Sequence, residues 1–318
     1  MQAANEARGP LVVSYSYGAD STAMLVGMHQ RGIRPDALLF ADTGSETEES
    51  IAYRPTVDAW LAKIGFPAVT IVRYEPVLAP YTTIEGNMAM NCTLPGACFG
   101  RGSCTVKFKI VPQNKWTQRW APAVEAWNQG LKVLKAIGFE AEEDYRTKRA
   151  CDKAFNGDPK DAARYEYWYP LQDWGWSRER CIAEVEAAGL PRPPKTFCYF
   201  CPNAKPHEID DLTPQERGRI MRIEIRAEPY NRKVEGLWRR TRKSDGRPGS
   251  ITEYILQQGL EYMDPELLDI VDPMPINPKC NHANTGRTFR KDGEDVYLSK
   301  LVDADRISKR PQAEKVGV

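Results

Sequence analysis

Ser14, Ser16, Ser21 and Thr22 crowd around Gly18 and Asp20 in the stretch LVVSYSYGADSTAML, Leu11 to Leu25. Hydroxyls can donate to an anion, glycine lets backbone N–H groups approach it closely, and an aspartate can cap a helix or face a metal ion. The chemistry these residue types share is phosphate binding. A plain strand-to-helix turn with a Ser or Asp cap would use the same residues, and both readings stay open. Further on, Asp42 and Thr43 end an apolar run and lead into Gly44-Ser45-Glu46-Thr47. Asp42 at a strand end would face the same ligand, whereas Thr43 or Ser45 could instead cap a helix from Glu46 to Ile64.

A second group is made of thiols. Cys92, Cys98 and Cys104 lie in the irregular segment NCTLPGACFGRGSC, and Cys198 and Cys201 form the C-x-x-C of CYFCP. Thiolates at that spacing can hold one metal centre from a single turn, with further ligands arriving from elsewhere in the fold. The expected set is Cys98, Cys104, Cys198 and Cys201, binding an iron–sulfur cluster or zinc. A redox dithiol and plain buried thiols are the competing readings. Cys280, beside His282, is a reserve ligand, and Cys151 and Cys181 read as structural. With only three histidines in the chain, any metal site is mainly thiolate.

These groups need elements to position them. Leu11–Val13 reads as a buried strand, Ser21–Arg31 as a helix ended by Gly32, Asp36–Ala41 (DALLFA) as a second strand, and Pro67–Arg73 as a third. Leu131–Ile137 gives a fourth strand ending at Gly138, Tyr165–Trp174 holds a fifth, and Ser177 starts a helix that stops at Gly189. Strands alternating with helices predict an α/β fold, a doubly wound parallel sheet of about five strands. A parallel strand carries its loop to the carboxyl edge of the sheet, and the next helix turns its unpaired N–H groups to the same point. To this sheet the sequence adds a Cys-rich insertion and a smaller, mainly helical C-terminal extension. The expected division is 1–212 and 213–318, with Thr213–Glu228 the first helix of the extension.

The spacing Ser16-Tyr17-Gly18-Ala19-Asp20-Ser21 resembles the S-G-G-x-D-S loop of the PP-loop ATP pyrophosphatases, with Tyr17 where that family usually has glycine. It lacks the Gly-Lys-Ser/Thr ending of a Walker loop. FADTGSETEES, around Asp42, is similar to the second signature of the phosphoadenylyl-sulfate reductase branch of that superfamily. Cys104-Thr-Val-Lys107-Phe-Lys109-Ile-Val-Pro112 resembles its Cys-containing segment, although Thr105 stands where the iron–sulfur members have a second cysteine. Gly138 to Arg146 and the order Y-P-L-x-x-W, helix, Pro-Pro-Lys, C-x-x-C-Pro resemble reductase-like proteins of the same branch, so the likeness runs with interruptions from about Val12 to Pro202.

The resemblance implies an adenine nucleotide site for ATP and Mg²⁺, built by Ser14, Ser16, Tyr17, Gly18, Ser21, Thr22, Asp42, Thr43 and Gly138. It implies catalytic roles for Asp20, Ser21, Asp42, Lys107, Lys109 and Arg146: metal-facing carboxylates, a phosphate-holding serine, and cations that offset developing charge. The implied reaction is that of the DNA phosphorothioation sulfurtransferases and their relatives. An acceptor is adenylylated with loss of pyrophosphate, and sulfur from a donor protein, a cysteine desulfurase or thioredoxin-like partner, then displaces AMP. The cysteines would position sulfur or stabilise a lobe over the site. Thiol-dependent reduction of an adenylyl sulfate is the runner-up, lowered because the ending KRPQAEKVGV lacks the cysteine of those reductases. The third reading is a non-catalytic, nucleotide-sensing module that binds nucleic acid.

Composition narrows the field further. With 42% hydrophobic and 27% charged residues the chain reads as globular, and at net charge +1 it does not announce nucleic-acid binding as a whole. Locally, RKVEGLWRRTRKSDGR (232–247) concentrates Lys and Arg around Trp238. That stretch could grip a phosphate backbone and stack a base, or be a solvated face. No run approaches the length of a membrane span and the opening residues lack an apolar signal core, so a cytoplasmic protein is expected.

Overall fold

The computed structural model describes residues 8–100, 102–143, 159–230, 234–274 and 297–308. Five parallel strands form one sheet in the order β3-β2-β1-β4-β5: β1 Leu11–Tyr15, β2 Ala37–Asp42, β3 Val69–Arg73, β4 Val133–Ile137 and β5 Tyr165–Trp168. The helices named below are α1 Ala19–Gln30, α2 Glu48–Lys63, α3 Ile84–Asn91, α4 Val111–Arg119, α5 Ala121–Asn128, α6 Arg178–Ala187, α7 Pro214–Ala227, α8 Ile251–Gln257, α9 Pro265–Val271 and α10 Tyr297–Ser308.

Both faces of the sheet are covered, as a parallel sheet requires. Leu11, Val13 and Tyr15 of β1 point with Leu38 and Phe40 of β2 into a core that takes in Met24, Leu25 and Met28 of α1, Val57 and Leu61 of α2, and Cys181 and Val185 of α6. Val12 and Leu39 point the other way, against Ala123 of α5, Val133, Tyr165 and a fringe of tryptophans, Trp116, Trp120 and Trp127. The period of two along each strand thus sorts β1 between two helical layers. Cys181, expected to pack inward, is fully buried.

Several boundaries moved. β1 continues to Tyr15 and β2 to Asp42, because pairing with β2 and β3 extends each past its apolar run. The helix after β2 starts at Glu48 and is capped by Thr47, whose side chain accepts from the Ser50 amide; Thr43 and Ser45 belong to the preceding turn. β5 stops at Trp168, since Pro170 opens a short helix, Pro170–Asp173.

The described chain divides into two compact units, Met1–Glu75 with Val106–Thr196, and Pro76–Thr105 with Phe197–Val318. The first unit holds the sheet. In the second, α7 starts with a capping box in which Thr213 and Glu216 satisfy each other's backbone N–H groups. Its Arg222, buried, donates to Glu85 of α3 at 3.1 Å and to the carbonyls of Leu268 (3.1 Å) and Asp272 (2.7 Å). Glu224, also buried, accepts from the amides of Leu237, Ile251 and Thr252 and from the Ser250 hydroxyl, at 2.6 to 3.0 Å. A buried carboxylate holding that many donors ties the 237–252 loop to α7.

Candidate functional site

β1 is where the strand order reverses: β2 and β3 lie on one side of it, β4 and β5 on the other. In open α/β sheets a ligand crevice forms beyond the carboxyl ends of the strands at this switch point. The two chain segments that leave the sheet there are the Ser16–Gly18 turn after β1 and Gly138 after β4. Gly138 lies so close to the start of α1 that a Cβ on it would stand 3.1 Å from the backbone N and Cα of Ser21. On the other side, a Cβ on Gly18 would meet the Thr196 hydroxyl at 2.5 Å. At Gly138 the close neighbour is backbone, which gives way only if the start of α1 shifts, whereas at Gly18 it is the end of a side chain.

The hydroxyls are organised among themselves. Ser16 Oγ and Ser21 Oγ are 2.9 Å apart; Ser21 Oγ also accepts from the Ser16 amide at 3.3 Å and donates to the Gly18 carbonyl at 3.2 Å. Thr22 turns inward, its Oγ1 3.0 Å from the Tyr15 hydroxyl, and Ser14 donates to Gln113 of α4 at 2.6 Å. Of these side chains Ser16 is exposed. Gly18 is the N-cap of α1 and no side chain caps it; its own amide donates to Ser16 Oγ at 3.4 Å, and the positive end of the helix dipole lies at this turn.

Tyr17 adopts φ +58°, the left-handed region where glycine is the easy choice. Its ring is buried between Tyr15 (4.6 Å) and Phe40 (5.3 Å), and its hydroxyl donates to Asp58 at 2.9 Å. Burial first, and then the Asp58 carboxylate, push the Tyr17 phenol well above its ordinary range. The phenol stays neutral and anchors the turn to α2.

Both candidate metal-facing carboxylates carry guanidinium partners. Asp20 accepts from Arg178, the first residue of α6, at 2.6 Å. Asp42 accepts from Gly44 N at 2.8 Å and from Arg73 Nε and Nη2 at 2.9 and 2.5 Å. Burial raises the Asp42 pKa, but the Gly44 amide and Arg73 outweigh it and hold the group below its ordinary value. Thr43 donates to Glu46 at 2.9 Å, and Glu46 also accepts from the Ser45 amide. Arg73 and Arg178 were not picked out from sequence. Arg73, at a strand end, carried the same positional signal as Asp42; nothing local marked Arg178.

Lys107 sits on a π-helical turn, Val106–Ile110, with its ammonium 4.8 Å above the Tyr74 ring just beyond β3, two strands from β1, and Lys109 is exposed. Arg146 lies outside the described residues. A lysine that sequence reasoning passed over is buried instead: Lys135 of β4 donates to Asn114 of α4 and lies 4.0 Å from the Tyr165 ring centroid. Burial lowers its pKa to about 7.

The thiols Cys98, Cys104, Cys198 and Cys201 all belong to the second unit. Cys98 is buried, donates weakly to the Leu237 carbonyl at 3.4 Å, and has its pKa pushed up by burial and then by Glu224. Cys104 and Cys201 are near enough to act on it electrostatically. The donor chemistry suits iron–sulfur or zinc, but among the described residues no three His, Cys, Asp or Glu side chains are gathered as a ligand set. Cys151, Cys280 and His282 lie outside the described residues.

Trp238 is buried, its indole N–H donating to Ala204 O at 2.8 Å and the Arg247 guanidinium 4.3 Å over its ring, so it does not offer the free face expected for stacking a base. Among the described residues no helix is long and apolar enough to cross a membrane. No family model and no curated protein matches this chain.

Proposed function

We propose that the first unit is a PP-loop nucleotide-binding domain of the phosphoadenylyl-sulfate reductase-like kind, which adenylylates an acceptor with ATP in preparation for sulfur transfer to a nucleic acid or small molecule. The observation that carries this reading is the junction at the switch point. There, the N-terminus of α1, which no side chain caps, the paired hydroxyls of Ser16 and Ser21, and the glycines Gly18 and Gly138 converge on one sheet edge. Such a junction favours an anion through backbone donors and the helix dipole.

In the proposed step an acceptor oxygen attacks the α-phosphorus, the bond from that phosphorus to the bridging oxygen breaks, and pyrophosphate leaves with the electron pair. Ser16, Ser21 and the α1 amides hold the leaving charge, and Arg178, already beside Asp20, supplies a cation that offsets it. Magnesium enters with the phosphates of ATP, as it commonly does. Asp20 and Asp42 as they stand are committed to guanidinium groups, so no step is assigned to them as a metal pair. An iron–sulfur or zinc centre at Cys98, Cys104, Cys198 and Cys201 would serve the second unit structurally, and elemental analysis of anaerobically purified protein tests for it.

Calorimetric titration with ATP and magnesium tests the central reading. Wild-type protein is expected to bind, and Ser21→Ala, which also loses its bonds to Ser16 and Gly18 and with them about 1 kcal/mol of stability, to bind about tenfold more weakly per folded molecule. A wild type without binding heat, or a Ser21→Ala variant with unaltered affinity, overturns it.

A further inference from the structure

The second unit contains an open cleft of about 780 Å³ that the proposed chemistry does not use. One wall comes from the segment after α3, with Thr93, Cys98, Phe99 and Gly100; the other comes from the loop before α8, with Val234 and Trp238 to Arg240. Arg239 holds φ +72°, a conformation that costs free energy in a residue with a side chain. It is fixed there by two backbone bonds, Glu235 N to Arg239 O at 2.7 Å and Arg239 N to Gly236 O at 3.0 Å. The turned-out guanidinium reaches across to donate from Nη2 to the Ala97 carbonyl at 2.5 Å, beside Gly100, where an added Cβ would stand 3.8 Å from the same nitrogen.

Charge in the cleft is one-sided. The other described arginines of the basic stretch are engaged locally: Arg242 pairs with Asp245, and Arg247 lies over Trp238. Glu235, the nearest acid in sequence, is turned to the amide and hydroxyl of Thr241 at 2.8 and 2.7 Å. Among the described residues neither Arg239 nor Arg240 is in an ion pair, and no carboxylate lines the cleft. Two guanidiniums without an acid favour a multiply charged, fork-accepting anion over a single carboxylate. Phe99 and Val234 add apolar wall, and the volume matches that of pockets holding a small organic ligand. Cys98 is part of the wall, buried, with its sulfur 3.4 Å from the Leu237 carbonyl.

From this we infer that the cleft between the 93–100 and 234–240 segments is a binding site for a phosphate ester bearing an apolar or planar group, with Arg239 and Arg240 as the anion-holding residues. Nucleotides have that chemistry, free or as a polynucleotide strand.

Equilibrium titration of the full chain with thymidine 5′-monophosphate, with single-stranded oligothymidylate, and with uncharged thymidine as control tests the site. Thymidine probes avoid the adenine site proposed in the first unit. At least one phosphorylated probe is expected to bind about tenfold or more tighter than thymidine, and Arg240→Gln, an exposed side chain, to lose about tenfold of that affinity at unchanged melting temperature. Arg239→Gln is expected to do the same. Ser21→Ala is expected to leave it unchanged, which separates this site from the switch-point junction. Binding of the oligonucleotide alone identifies a phosphodiester strand as the ligand, and equal binding of the mononucleotide identifies a free phosphomonoester. Phosphorylated probes no tighter than thymidine, affinity unaltered in Arg240→Gln, or affinity lost in Ser21→Ala overturns the proposal.

Discussion

Asp42, at the carboxyl end of β2, is the register partner of Arg73 on β3, and its Oδ2 accepts both Nε and Nη2 of that guanidinium. Asp42 is nearly buried while Arg73 is largely exposed, so the pair holds a carboxylate that burial alone would push toward its neutral form. Its pKa is lowered in the folded protein. The stability it contributes is therefore present above the ordinary carboxylate value and lost as pH falls through the lower, folded value. Arg73→Met is expected to cost about 1 kcal/mol at pH 7. Its acid unfolding should begin at higher pH than in the wild type, as read by urea titrations across pH 3 to 7.

Lys135 works in the opposite direction. Its folded pKa is about 7, below the ordinary lysine value of 10.5, so between those limits the unfolded chain binds more protons. Stability should rise with pH from about 7 toward 10, and the penalty should be full and flat below 7. Lys135→Met is expected to stabilise the protein at pH 6 by a few kcal/mol, on the order of 2–4, and to flatten that pH dependence. Chemical denaturation of both proteins at pH 6 and pH 9 gives the comparison, and a destabilised Lys135→Met would show that the ammonium is needed where it sits.

Tyr17 separates conformation from packing. Tyr17→Phe keeps the buried ring and removes the bond to Asp58, an expected loss of about 1 kcal/mol. Tyr17→Gly relieves the left-handed backbone but empties the space between Tyr15 and Phe40, an expected net loss of about 2–4 kcal/mol. Thermal unfolding ranks the two. ATP affinity per folded molecule should survive both, because the side chain points into the core and away from the exposed Ser16.

Gly138→Ala tests the close approach. Its Cβ would stand 3.1 Å from backbone atoms of Ser21, which cannot swing aside as a side chain can, so the start of α1 must shift by a few tenths of an ångström. ATP affinity is expected to fall about tenfold or more with a loss of stability of about 1–2 kcal/mol. A variant that lost stability and kept its ATP affinity would place the nucleotide elsewhere.

Much of the sheet could be read before any coordinates, since Leu11–Val13 and Ala37–Phe40 are β-branched or apolar runs too short for helices and bounded by turn residues. The helix that follows each gave the parallel order. Partners distant in sequence were hidden: Asp20 meets Arg178 across 158 positions, and no local spacing announces that. Lys135 was hidden for another reason. In LKVLKAI its place suggests an exposed face, yet a sheet covered by helices on both sides has no such face, and the lysine is held inside by Asn114 and Tyr165. The thiols illustrate the limit of motif reading, because spacing fixes which sulfurs share a turn and leaves open whether distant turns bring theirs together.

The tie between Glu85 and Arg222 has a practical meaning for anyone cutting this chain. Residues 76–105 are an excursion from the sheet whose natural company comes more than a hundred positions later, so a fragment ending near 212 would carry α3 with Ile84 and Met88 stripped of their cover and Glu85 without its counter-ion. Such a fragment should be sticky and poorly soluble, whereas a version with the excursion replaced by a short polar bridge should behave as a self-sufficient piece. Workable boundaries here are loops to be excised, not ends to be trimmed.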